Sequence, residues 1–175
     1  MRLIGKRVAV LVENLYQEME VWYPYYRLQE AGAVVEFVGP RAGVTYTSKL
    51  GYPCTSDLAA HAIDASRFDA VVVPGGYAPD LLRRDQGVLD LVHEMNEAGK
   101  IIAAICHAGW VLVSAKVLEG RTATCFAAIK DDIINAGAKY VDEDVVVDGN
   151  LITSRTPHDL PAFCRELVAL LAGHD

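Results

Sequence analysis

Ile101-Ile-Ala-Ala-Ile-Cys-His-Ala-Gly109 is the stretch on which the reading of the whole chain turns. Residues 101–105 are apolar without interruption, the pattern of a short strand covered on both faces. A helical pattern follows over 107–115, so Cys106 sits on a sharp strand-to-helix turn. Such a turn aims its side chain away from the core and toward a helix N-terminus. The dipole there favours a thiolate, so the Cys106 thiol is expected below its ordinary pKa. The backbone N–H of His107 is placed to stabilise an oxyanion, as in nucleophile elbows. Small residues at Ala108 and Gly109 keep the turn tight. The competing reading is a core cysteine, a common fate for free Cys. Cys164, among Phe163, Leu167 and Val168 on a helix, fits that description better.

The neighbouring segments repeat the strand-then-helix rhythm. Strands are predicted over Val8–Val12, Val34–Val38 and Phe68–Pro74. Helices are predicted over Glu18–Ala31, closed by Gly32, and over Val88–Ala98, closed by Gly99. Residues 41–56 read as a small hairpin or loop excursion, with Gly43 and Gly51. A helix spans 127–136 before Gly137, and a hairpin turns at Asp148-Gly149 within 145–153. Thr156 is expected to cap the last helix, with Pro157 in its first turn and Asp159 three residues beyond the cap. Alternation of this kind implies an α/β domain over 1–175, with a mostly parallel sheet covered by helices on both faces. Open sheets bind ligands at the carboxyl ends of their strands. Three segments fall there: the one after Val12, the Gly75-Gly76 turn, and Cys106-His107.

Composition excludes several classes. With 175 residues, 52% hydrophobic and 22% charged, the chain is globular and needs no disulfide or metal to build a core. A net charge of −7 without a basic run argues against a nucleic-acid partner. No apolar run approaches the ~20 residues of a membrane helix. The apolar stretch 8–12 is too short for a signal-peptide core, so a soluble cytoplasmic protein is expected. The four cysteines, Cys54, Cys106, Cys125 and Cys164, form no C-x-x-C pair, which leaves a metal site unsupported and predicts free thiols.

Glu20 shares the apolar stripe of its helix with Pro24, Leu28 and Ala31, where a carboxyl is desolvated and its pKa rises. It reads equally as an ordinary first-turn glutamate favoured by the helix dipole. Pro24 lacks the N–H for the Glu20 carbonyl, so an irregularity is expected there. Gly75-Gly76 reads either as a second source of backbone donors or as a mere strand-ending turn. His107 reads as a base, as an orienter of Cys106, or as a donor through its backbone alone. His158 belongs to the last helix opening, and His61, His93 and His174 to the surface.

Glu18-Met-Glu20 with Pro24, Phe68-Asp-Ala-Val-Val-Val-Pro-Gly-Gly-Tyr-Ala-Pro-Asp80, Ala104-Ile-Cys-His107, Ile129-Lys-Asp-Asp-Ile-Ile-Asn-Ala-Gly137 and Val146-Val-Asp-Gly-Asn150 together resemble the ThiJ/PfpI superfamily, most closely its PfpI branch. The resemblance implies a flavodoxin-like three-layer sandwich with a cysteine nucleophile elbow. It implies Cys106 as nucleophile, Glu20 as its carboxyl partner and His107 as a catalytic histidine. It implies that Asp80, where the branch usually carries Glu, reaches the histidine of a neighbouring subunit in a homo-oligomer, a dimer or hexamer. Phe126 stands where the branch often has tyrosine. The activities implied are those of a stress-response glyoxalase or deglycase on reactive carbonyls, of a peptidase or amidase, or of a non-enzymatic redox sensor, none needing a cofactor. Cys125, just before Phe126, is a possible resolving thiol in the last reading.

Overall fold

A computed structural model describes residues 3–173. In chain order the elements are β1 (Arg7–Leu11), α1 (Glu18–Ala31), β2 (Val34–Gly39), β3 (Thr45–Thr47), β4 (Pro53–Thr55), β5 (Leu58–Ala59), β6 (Ala70–Val73), α2 (Ala78–Leu82) and α3 (Gln86–Glu97). There follow β7 (Ile101–Ile105), α4 (Gly109–Ser114), β8 (Thr122–Ala123), α5 (Lys130–Asn135), β9 (Lys139–Tyr140), β10 (Val145–Asp148), β11 (Leu151–Ser154) and α6 (Leu160–Gly173). His174 lies outside the described residues.

Seven strands form one sheet in the order β10-β11-β7-β6-β1-β2-β5. All neighbours pair parallel except β10 with β11. This is the mostly parallel, flavodoxin-like sandwich the sequence implied. α1 and α6 pack together on one face, and α3 and α4 cover the other. Every residue of β6 and β7 is buried, which explains their uninterrupted apolar runs. The chain leaves β1 in one direction toward β2 and in the other toward β6 and β7. That switch point opens a crevice at the strands' carboxyl ends. The Gly75-Gly76 turn and Cys106 leave the sheet there.

Several local readings are corrected. The helix predicted over 107–115 begins as a 3-10 turn, Cys106–Ala108, and continues as α4 for only six residues. The segment 127–136 likewise divides into a 3-10 turn and the short α5. Thr156 makes no side-chain cap, and a 3-10 turn at Pro157–Asp159 precedes α6. The Asp159 carboxylate instead meets Arg155 at 3.0 Å, and that guanidinium also holds Asp142 at 2.9 Å and Asp144. Charge pairing at the exit of β11 thus takes the carboxylate that a capping box would use. α1 runs through Pro24 as one helix. Of the two readings of residues 41–56, the hairpin holds: β3 and β4 pair antiparallel as a separate two-stranded sheet. α2 and the parallel β8–β9 pair were not anticipated. Among the described residues, no helix is long and apolar enough to cross a membrane.

Burial makes β7 the element whose loss would displace Cys106. Ile102→Ala is expected to destabilise the fold by roughly 2–5 kcal/mol, the range for emptying an aliphatic core site. Val147→Ala, on the half-exposed edge strand, should stay within about 0.5 kcal/mol of wild type. Urea unfolding of the two variants measures both.

Candidate active site

The Cys106 backbone is at φ 65°, a left-handed conformation that costs a non-glycine residue on the order of 1–3 kcal/mol. The β7 and α4 packing holds the elbow there and turns the side chain into the crevice. Cys106 is 8% exposed, more than the other three cysteines, at 1–2%. The Gly76 and His107 backbone N–H groups both donate toward its sulfur. His107 Nδ1 lies 3.3 Å from Sγ. Its ring stacks on Phe126 at 4.7 Å and meets Trp110 edge-on. Burial lowers the imidazole pKa, which favours the neutral ring. Phe126 is fixed in turn by its backbone N–H, which donates to the Cys106 carbonyl at 3.1 Å.

Glu20 is fully buried, on the stripe of α1 that faces the sheet. The Gln17 side chain caps the helix by accepting from the Glu20 N–H at 3.0 Å. One carboxylate oxygen accepts from the Gly75 N–H at 2.7 Å, and the carboxyl lies beside the Cys106 thiol, near enough for each to act on the other's proton. The other oxygen has no partner within the protein. Burial raises the Glu20 pKa to about 7 against the opposing effects of the Gly75 hydrogen bond and the neighbouring thiol, so its proton is exchangeable near neutrality.

The glycines of the turn serve two different needs. A methyl group on Gly75 would lie 2.5 Å from the Glu20 carboxyl and 3.1 Å from Sγ, so the bare backbone is what lets acid and thiol meet. Its N–H is spent on Glu20, which leaves the donor role foreseen for the turn to Gly76. Gly76 adopts φ 81°, and a methyl there would meet the Leu15 carbonyl at 2.5 Å.

The thiol does not follow the expectation of a lowered pKa. Burial pushes Cys106 up to about 12, and the Glu20 charge beside it adds to the effect. A 3-10 turn followed by six residues of helix offers little dipole to oppose it. The other three thiols are also raised to about 12 by burial. What distinguishes Cys106 is therefore its access, its two N–H donors and a carboxyl able to take its proton.

Asp80 lies in α2, where its carboxylate pairs with Arg84 one helical turn on. Two features escaped the sequence reading. Tyr16 forms an isolated antiparallel bridge with Gly76 and so anchors the turn. Lys49, on the hairpin, has a charge that acts on Glu18, Glu20 and His107. Neither lies in a recognisable motif; only the pairing of the 41–56 excursion with the segment after β1 could have pointed to them. Among the described residues, no three His, Cys, Asp or Glu side chains converge as metal ligands.

A cysteine elbow at the switch point of a mostly parallel α/β sheet, with a buried glutamate beside the thiol, defines the class of site. The chain belongs to the DJ-1/PfpI family, whose model matches residues 6–170. It is 44% identical to a deglycase of Pyrococcus abyssi, over 94% of this chain and 99% of that protein. Among solved structures it is similar to DJ-1beta of Drosophila melanogaster, with a TM-score of 0.90 and 32% identity over 97% of this chain and 92% of that one. A protein of Anabaena variabilis containing DJ-1/ThiJ/PfpI-like and ferritin-like domains matches with a TM-score of 0.94 and 43% identity. That match covers 95% of this chain, which spans about half of that two-domain protein (48%).

The Glu20 geometry sets a pH dependence. Its folded-state pKa of about 7 lies above the ordinary 4.5, so the folded chain binds the proton more tightly than the unfolded chain. That contribution is fully present below pH 4.5 and is lost as pH rises through 7. It amounts to about 3 kcal/mol at 1.36 kcal/mol per pKa unit. Glu20→Gln should flatten the fall in unfolding free energy across this window, as measured by urea denaturation at successive pH values. A slope identical to wild type would show that Glu20 does not titrate there.

Proposed function

We propose that the chain is a cysteine-dependent enzyme acting on small reactive carbonyls such as methylglyoxal, or on their protein adducts. The observation that carries this reading is the meeting of the buried Glu20 carboxyl and the Cys106 thiol across Gly75, where a methyl group would lie 2.5 Å from the acid and 3.1 Å from Sγ, beside the Gly76 and His107 N–H groups. In the proposed reaction, Glu20 takes the thiol proton as Sγ bonds to the aldehyde carbon. The Gly76 and His107 N–H groups hold the developing oxyanion of the hemithioacetal. Glu20 or His107 then moves the carbon-bound proton through an enediol to the neighbouring carbon. Water releases the thiol and a 2-hydroxy acid. The aldehyde carbon is thereby oxidised and the ketone carbon reduced, with no external oxidant. Phe126 supports carbonyl chemistry over amide cleavage, because it has no hydroxyl to protonate a leaving amine.

Methylglyoxal turnover to lactate is the direct assay. Cys106→Ser should abolish it, and Glu20→Gln should lower kcat roughly 10²–10⁴-fold, the usual effect of losing one general base. The rate should rise with pH through the Glu20 titration near 7. Strong peptide hydrolysis that depends on Cys106, without turnover of glyoxals, would replace this reading with an amidase.

The same proposal places the protein in the cytoplasm, in a stress response, and in a homo-oligomer. Support for assembly comes from a groove of about 640 Å³ along α1, lined by Met19, Trp22, Tyr23, Tyr26 and Tyr52. Met19, Tyr26 and Tyr52 are each more than half exposed, an unusual load of apolar surface for a monomer. Asp80 is proposed to exchange Arg84 for a neighbouring subunit's site. Light scattering at micromolar concentration should give at least a dimer, and a monomeric mass would remove the shared-site model.

A further inference from the structure

Lys49 is held beside the crevice by a ribbon of backbone hydrogen bonds. Its own N–H donates to the Tyr16 carbonyl at 3.0 Å, and the Leu15 N–H donates to the Thr47 carbonyl at 2.7 Å. The Leu50 N–H donates to the Glu18 carboxylate at 2.7 Å. Tyr16 is bridged on its other side to Gly76, whose N–H faces Sγ. Lys49 therefore stands two strand spacings, about 10 Å, from the Gly76 backbone, within the span that an extended lysine and a small substrate cover together.

The ammonium forms no ion pair among the described residues. The other groups facing this mouth are the carboxyls of Glu18 and Glu20 on α1 and the neutral-leaning imidazole of His107. Without Lys49 the entrance would be net negative and would repel an anion. The Lys49 charge lowers the pKa of each of those three groups, which places its field within the site. A cation at the rim of a nucleophile's site selects ligands whose negative charge lies a few bonds from the reacting carbon.

We propose that Lys49 is a specificity-determining residue that binds the carboxylate of an anionic carbonyl substrate while Cys106 meets its carbonyl carbon. This rests on the reading of Cys106 as a nucleophile toward carbonyls and narrows it to carboxylate-bearing members of that class. The 2-hydroxy acid formed from any glyoxal is itself a carboxylate, so the same cation would also hold product.

Alkylation provides a test that needs no turnover. Iodoacetate and iodoacetamide each form a bond from Sγ to carbon with loss of iodide, and they differ by a carboxylate against a neutral amide. The rate ratio of the two at Cys106, read by mass spectrometry, cancels the thiol's own reactivity. Wild type, Lys49→Ala, Lys49→Arg and Lys49→Glu are compared at low and high salt. The ratio should fall about three- to tenfold in Lys49→Ala, the scale of one partly screened charge. It should fall further in Lys49→Glu, return toward wild type in Lys49→Arg, and lose its dependence on residue 49 at high salt. An unchanged ratio in both Lys49→Ala and Lys49→Glu overturns the proposal, whether or not methylglyoxal is turned over. A fallen ratio supports the anion site even if methylglyoxal is inert, in which case it is the glyoxalase reading that fails.

Discussion

The contact between a fully buried carboxyl and a buried thiol is the constraint around which the rest of the structure is arranged. Neither group is comfortable when charged away from water. Burial raises both pKa values, so loss of a proton is costly for either alone, while passing one proton between them leaves the site's net charge unchanged. Glu20 comes from the helix after β1, Cys106 from the end of β7, and the turn that separates them from the end of β6. The sheet order is what brings those three segments together. Gly75 completes the arrangement by having no side chain, since a single methyl group would occupy the space between acid and sulfur.

Much of this was legible in the sequence, for identifiable reasons. Continuous apolar runs marked β6 and β7, because strands covered on both faces leave no polar alternation. The i, i+4 stripe through Glu20, Pro24 and Leu28 placed an acid on the buried face of α1, and the structure puts it there. The turn at Asp148-Gly149 and the helix-closing Gly32 were read from local conformational need, and Gly32 does take φ 103°.

What sequence missed depends on long-range placement or on a balance of energies. The β8–β9 pair has two residues per strand and exists only because neighbouring elements hold it, so no periodicity announces it. The direction of the thiol shift was misjudged because the dipole argument assumes a long helix and cannot weigh burial. The sequence offers the Gly75-Gly76 pair as backbone donors or as a bare turn and cannot divide the two roles, because the Gly75 N–H is claimed by a residue 55 positions away. Lys49 carried no signal, because its relation to the site runs through the docking of the hairpin on Tyr16.

That docking gives the hairpin an importance out of proportion to its size. Two strands of three residues outside the main sheet have little independent stability. They are tied to residues 14–18, which are tied to the Gly-Gly turn. Opening of the hairpin alone would cost far less than global unfolding, as is usual for small peripheral units. It would also free Tyr16 and slacken the hold on Gly76, one of the two donors at sulfur. The geometry around the Cys106 sulfur thus draws its persistence from one of the least autonomous pieces of the molecule, so its lifetime is set by local opening more than by the depth of the core.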